Sequence, residues 1–290
     1  MQLGLHALGI GSGAERAVID AVAAAAETAG FATLWSGEHV VMVDESSSRY
    51  PYSDDGQIAV PAAADWIDPM IGLSFAAAAT STIRIGTGVL LLPEHNPVLV
   101  AKQAATLDTL SGGRFVLGVG VGWSREEFDA LGVPFERRGA RTREYVEAIR
   151  TLWRDDVASF HGEFVGFDSV RVNPKPVHGG RLPIVVGGNS DAALRRVSDW
   201  GDGWYGFYLD DVDAVAERVG VLRALCHERR RDPNDLRLAV ALRELHPSDV
   251  APLAALGIDE LVVVEGPPDD AADAPGWVAA LADRWMSGLD

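Results

Sequence analysis

Glu38-His39 follows the short apolar run Thr33–Ser36 and is the most direct chemical signal in the chain. A carboxylate beside an imidazole can work as a general acid/base pair, or both can ligate a metal. The same residues would also suit a histidine that merely caps a loop. A hydrolytic metal barrel needs several spaced His or Asp ligands. His6 and His95 are the other candidates, but no H-x-H pair is present, so the spacing argues against a metal. A second group is glycine-rich: Thr87-Gly88-Val89, Gly118-Val119-Gly120-Val121-Gly122-Trp123, and Gly187-Gly188-Asn189-Ser190. Glycine there lets a flat or phosphorylated ligand approach the backbone. The last of these opens a helix, whose free N–H groups and dipole favour a phosphate. The competing reading is a tight turn with Asn189 or Ser190 as N-cap. A third group is aromatic. Trp35, Trp66, Trp123, Trp204 and Tyr205 could line an apolar pocket, and each would serve equally in a core. Cys226 lies on a helical stripe with Leu222 and reads as a small buried apolar side chain.

These groups fall at the ends of strand-like runs. The runs are Leu3–Leu8, Thr33–Ser36, Ile83–Leu92, Arg114–Val121, Pro183–Val186, Gly203–Gly206, Arg237–Leu242 and Glu260–Val264. Helix-like stretches alternate with them: Ala14–Ala29, Asp68–Ala79, Pro97–Leu110, Arg125–Leu131, Arg138–Trp153, a helix from Ser190, Asp211–Arg231, Ser248–Leu256 and Gly276–Met286. In the first, Val18, Ile19, Val22 and Ala26 form one stripe and Gly30 closes it. Phe160–Pro176 has period-2 character and reads as an extended excursion. Eight strand–helix repeats in 290 residues predict an α/β fold of the (β/α)₈ TIM-barrel type, as one domain over 1–290. A doubly wound sheet is the alternative, but Gly9-Ile10-Gly11-Ser12-Gly13 lacks the G-x-G-x-x-G spacing. The polar stretch at about 37–64 is too long for a simple connection and reads as a functional loop, a lid over the barrel mouth.

Composition narrows the function classes. Apolar residues make up 48% and charged residues 23%, as in globular proteins, and the formal net charge is −17. That charge argues against nucleic acid and anionic membrane as partners, since both are held by Lys and Arg. A single cysteine excludes an internal disulfide. No signal-peptide pattern opens the sequence and no apolar run reaches the length of a membrane span, so a cytoplasmic location is expected.

Several segments together resemble the bacterial luciferase-like monooxygenase superfamily. They are Arg84–Val89, Asn96-Pro97, Ala101–Asp108, Ser111–Arg114, Gly118–Trp123, Pro174–Pro176, Pro183–Asn189 and Asp202–Trp204, in order over nearly the whole chain. Glu38-His39 and the Gly-Trp followed by Glu126-Glu127-Phe128 are most similar to its actinobacterial branch of coenzyme F420-dependent oxidoreductases. The resemblance implies a barrel that holds F420, or alternatively FMN, at its C-terminal mouth. It implies a cis peptide at Gly88–Val89 behind the ring, with Thr87 beside it. Gly120, Val121 and Gly122 would border the ring, and Gly187, Gly188, Asn189 and Ser190 would meet the phosphate. His39 would be the acid/base, with Glu38 orienting it. The expected activity is hydride transfer with a small organic substrate. The alternatives are an FMNH₂-dependent monooxygenase and a redox-silent flavin or deazaflavin carrier. The family is commonly dimeric through its early helices, which implies a homodimer. Sugar-phosphate dehydrogenases of the superfamily carry an acidic residue where this chain has Trp123, which implies a more apolar pocket.

Overall fold

A computed structural model describes residues 1–286. Its strands are β1 (Gln2–Leu8), β2 (Thr33–Ser36), β3 (Arg84–Thr87), β4 (Leu90–Leu91), β5 (Phe115–Gly120), β6 (Ala158–His161), β7 (Gly166–Val170), β8 (Ile184–Gly187), β9 (Gly203–Leu209), β10 (Arg237–Leu242) and β11 (Glu260–Val264). Its α-helices are α1 (Arg16–Ala29), α2 (Pro69–Ala78), α3 (Pro97–Leu110), α4 (Arg125–Ala130), α5 (Arg138–Arg154), α6 (Asp191–Trp200), α7 (Val212–Glu228), α8 (Val250–Ala255) and α9 (Ala274–Met286). The parallel strands run β1, β2, β3, β5, β8, β9, β10, β11, and β11 pairs back onto β1, with Gln2 opposite Glu260 and His6 opposite Val264. This is the closed (β/α)₈ barrel that the sequence predicts.

Period-2 alternation sorts the strand side chains between two cores. Leu34, Leu117, Ile184, Trp204, Val240 and Leu261 pack outward against the helices. Their neighbours Trp35, Val116, Val185, Tyr205, Ala239 and Val262 form a second cluster inside the barrel. In α1 the predicted stripe Val18, Ile19, Val22 and Ala26 is buried, and Gly30 ends the helix at φ 88°.

Several local expectations change, among them the start of the first helix at Arg16 rather than Ala14, after a 3₁₀ turn, and of the last at Ala274 rather than Gly276. The third strand does not run through to Leu92. It breaks after Thr87 at a cis Gly88–Val89 bond, then resumes as β4. The helix expected from Asp211 begins one residue later, because Asp211 is its N-cap and accepts the Ala214 N–H. The segment at Pro247–Asp249 is a 3₁₀ turn ahead of α8. The extended excursion is the antiparallel β6–β7 hairpin. Among the described residues no helix is long and apolar enough to cross a membrane.

One buried carboxylate closes the N-terminal end of the barrel. Glu260 is fully buried and accepts bonds from Trp35 Nε1 at 2.7 Å, Thr33 Oγ1 at 3.0 Å, Arg84 at 3.1 Å and Arg237 at 2.7 Å. Removing the anion leaves two guanidiniums facing each other and an indole N–H without a partner. Glu260→Ala should therefore destabilise the fold by about 3–5 kcal/mol, read from the urea midpoint. A loss under about 1 kcal/mol would contradict this role.

Candidate active site

The strand ends and their loops enclose a cavity of ≈ 820 Å³ at the C-terminal mouth. Gly37–His39 follow β2, Gly88-Val89 follow β3, Gly120–Trp123 end β5, and Gly187–Ser190 end β8; all line it. The segment 37–64 carries neither helix nor strand, and its Tyr50, Tyr52, Ile58 and Val60 form part of the wall.

His39 is held at one side. Its Nδ1 lies 2.8 Å from Glu127 Oε2, and its side chain is 7% exposed. Glu127 Oε1 accepts the Val40 N–H at 2.7 Å and the Val41 N–H at 3.3 Å, so loop and ring are fixed by one carboxylate. A carboxylate only accepts, so the ring donates from Nδ1 and leaves Nε2 to the cavity. The Trp66 and Trp123 rings stand edge-on to the imidazole, at 4.8 and 5.6 Å. Ser124 caps α4 by accepting the Glu127 N–H. The next carboxylate, Glu126, binds Ser46, Ser47 and Ser48 and so ties the long loop to the same helix.

Glu38 lines the cavity but does not orient His39. It accepts the Leu91 N–H at 2.5 Å and faces His95 Nε2 at 3.0 Å. The chain carries no turn at 37–39, and successive side chains of such an extended stretch point in different directions, so these neighbours face different partners. Burial disfavours charge on His95, yet the Glu38 hydrogen bond and charge win and raise its pKa above the ordinary value. Between the two pairs sits Glu94, 8% exposed, with neither carboxyl oxygen hydrogen-bonded. Burial, with Glu127 and Glu38 nearby, pushes its pKa up to about 9 from 4.5. An acid whose folded pKa is raised binds more protons folded than unfolded, so its contribution falls as pH rises from about 4.5 to about 9. Glu94→Gln should thus gain on the wild type across that window. Urea midpoints at pH 5 and 8.5 check this, and an unchanged difference would refute it.

Another part of the cavity wall suits an anion. Gly188 adopts φ +107°, which brings backbone to the cavity surface. Ser190 caps α6 through the Ala193 N–H, and the Asn189 amide clamps Phe207, donating to its C=O at 2.7 Å and accepting its N–H at 3.2 Å. The N-cap reading therefore holds for Ser190, and the first N–H groups of α6 remain beside the cavity. Arg196, one turn further on, lines the cavity with Arg138. Among the described residues Arg196 makes no ion pair, and its buried Nε has no partner. Burial, then the nearby Arg138 charge, lowers its pKa, which marks an environment short of negative charge.

Three expected site residues lie elsewhere. Thr87 is buried and donates its hydroxyl to the Gly118 C=O at 2.7 Å, since its strand position faces a neighbouring strand rather than the mouth. Trp35 points down the barrel interior to Glu260. Trp204 faces the helix layer and donates to the Gly188 C=O at 2.8 Å, while Tyr205, one residue on, faces inward and does line the cavity. Trp66 and Trp123 line it as expected. Glu127, His6 and Arg138 carry polar roles that the sequence reading did not assign. For Glu127 the signal was the Ser124-x-x-Glu127 spacing of a helix start. Among the described residues no three His, Cys, Asp or Glu side chains gather as a metal site.

Comparison with known proteins agrees with this architecture. An uncharacterized protein of Mycobacterium tuberculosis, Rv0953c, is 36% identical over 274 residues, covering 93% of this chain and 95% of that one. An FMNH₂-dependent dimethylsulfone monooxygenase of Pseudomonas putida is 36% identical over 153 residues, covering 51% of this chain and 41% of that one. The solved coenzyme F420-dependent tetrahydromethanopterin reductase of Methanopyrus kandleri superposes with a TM-score of 0.76 at 16% identity, over 100% of this chain and 99% of that one. The model of the luciferase-like monooxygenase family matches residues 4–248, and the chain belongs to that family.

Proposed function

We propose that the protein is an oxidoreductase that holds coenzyme F420 in the barrel mouth and moves hydride between it and a small organic substrate. One observation carries the reading. A single cavity offers a half-buried arginine, its Nε without a partner, on the helix that opens at Ser190, and also an imidazole with its Nε2 free. The first fits a phosphate and the second a substrate oxygen. The bound cofactor would supply the redox chemistry. Gly188, Asn189, Ser190 and Arg196 would hold the phosphate, and Gly88, Val89, Gly120, Val121 and Gly122 would border the ring. In oxidation, the bare His39 Nε2 would take the proton of the substrate hydroxyl; in reduction, the imidazolium so formed, its Nδ1–H held by Glu127, would return that proton to the substrate oxygen. Trp66, Trp123, Tyr50 and Tyr52 would exclude water from the reacting atoms.

The Pseudomonas putida relative favours a second reading, reduced FMN with oxygen. Both readings predict turnover, and turnover with either cofactor would exclude a passive carrier. An anaerobic screen of carbonyl compounds with reduced F420 should show cofactor oxidation coupled to substrate. Oxygen uptake with reduced FMN, and none of that coupling, would favour the monooxygenase. A homodimer is also proposed. Ile71 and Phe75 on α2, and Leu99 and Leu110 on α3, are exposed apolar side chains that a second copy would cover. Sedimentation should give twice the chain mass, and Leu99→Asp with Leu110→Asp should return it to the monomer value.

A further inference from the structure

The cavity holds a second imidazole, His6, for which neither sequence nor family resemblance gives a role. It lies near the end of β1, and its Nδ1 is 2.7 Å from the Tyr205 hydroxyl. Both side chains line the cavity. Tyr205 is 1% exposed, and burial holds its phenol well above the ordinary range, so it keeps its proton. Among the described residues His6 Nδ1 is the acceptor within reach of that O–H. The phenol therefore donates, Nδ1 is the bare nitrogen, and Nε2 carries the hydrogen. Burial also lowers the pKa of His6 to about 4, so the ring is neutral in ordinary buffers. His6 Nε2 has no partner of its own and is not among the sealed polar atoms. Glycines leave its edge open. A Cβ on Gly37 would stand 3.4 Å from Nε2, and one on Gly88 would stand 3.3 Å from Cε1.

His39 has the reverse arrangement. A carboxylate takes its Nδ1 hydrogen, so its Nε2 accepts. The cavity thus carries two imidazoles of opposite tautomer, one a fixed neutral donor and the other an acceptor.

We propose that His6, held by Tyr205, is a positioning residue whose Nε2–H donates to a carbonyl oxygen of the pyrimidine-dione ring that flavins and deazaflavins share. This rests on the cofactor reading above. A fixed neutral donor binds the electron-rich reduced dione more strongly than the oxidised one, because it is already oriented where negative charge collects. His6 would therefore favour the reduced cofactor without adding a charge to the site.

The test is ¹⁵N NMR of histidine-labelled protein, with FMN and F420 as probes. His6 should show the Nε2–H tautomer between pH 5 and 8, and Tyr205→Phe should give a mixture. Adding the cofactor should move the Nε2 proton downfield. In parallel, His6→Leu should weaken reduced FMN or F420 by roughly tenfold, and the oxidised form by less. An Nδ1–H tautomer in the wild type would overturn the proposal. So would an Nε2 signal that stays still when cofactor binds, or that moves only on adding a substrate. Should neither cofactor bind, the reading of the cavity falls and this proposal with it; binding with an unmoved Nε2 removes this proposal alone.

Discussion

His39→Ala should lower kcat/KM by about 10²–10⁴ while changing cofactor affinity by no more than a few-fold. The ring packs edge-on to Trp66 and Trp123 and is hydrogen-bonded to Glu127, with no bond to Arg138 or Arg196, so its loss removes a proton carrier and not an anchor. Glu127→Ala should cost less, about 10–100-fold, because His39 remains but its Nδ1 hydrogen has no fixed acceptor. That variant also frees the Val40 and Val41 N–H groups. Part of the loss should then appear as a raised KM, whereas His39→Ala acts mainly on kcat. Steady-state kinetics on both variants, with cofactor affinity measured separately, separate the roles. Wild-type turnover in His39→Ala would remove the acid/base assignment.

Arg196→Ala should weaken FMN or F420 by about 10–100-fold, the effect of one charge-assisted hydrogen bond to a phosphate. Riboflavin lacks the phosphate, so its affinity should be unchanged. An equal loss for riboflavin and FMN would mean that Arg196 shapes the wall and does not read the anion. The chain as a whole is strongly acidic, at a net charge of −17. Long-range repulsion should therefore slow the approach of an anionic cofactor, and added salt should speed association. An association rate that falls steeply with salt would point to a locally basic mouth instead.

Barrel and mouth were legible because their signals are local. Period-2 runs, helical stripes and glycines at strand ends follow from the backbone geometry of single elements. What escaped the sequence was which partner each side chain meets. Glu38 is adjacent to His39 in the chain, yet Glu127, far off in sequence, is the residue that binds the ring. Trp204 and Tyr205 are equally aromatic neighbours, and one residue of alternation sends the first to the helix layer and the second to the cavity. Arg195 and Arg196 are the bases nearest in sequence to the phosphate turn, but that Arg196 lines the cavity with its Nε unpartnered is a property of the assembled wall. The tautomers of His6 and His39 depend on hydrogen bonds across 199 and 88 residues of chain, which no short motif encodes.

The net charge and the cavity meet in one experiment, equilibrium titration of the protein with F420 and with FMN, each oxidised and reduced. The account predicts one site per chain with micromolar or tighter affinity for at least one of them. It also predicts competition between the two and a loss of affinity in Arg196→Ala. Failure of all four forms to bind would contradict the central claim that this barrel mouth is a flavin-type cofactor site.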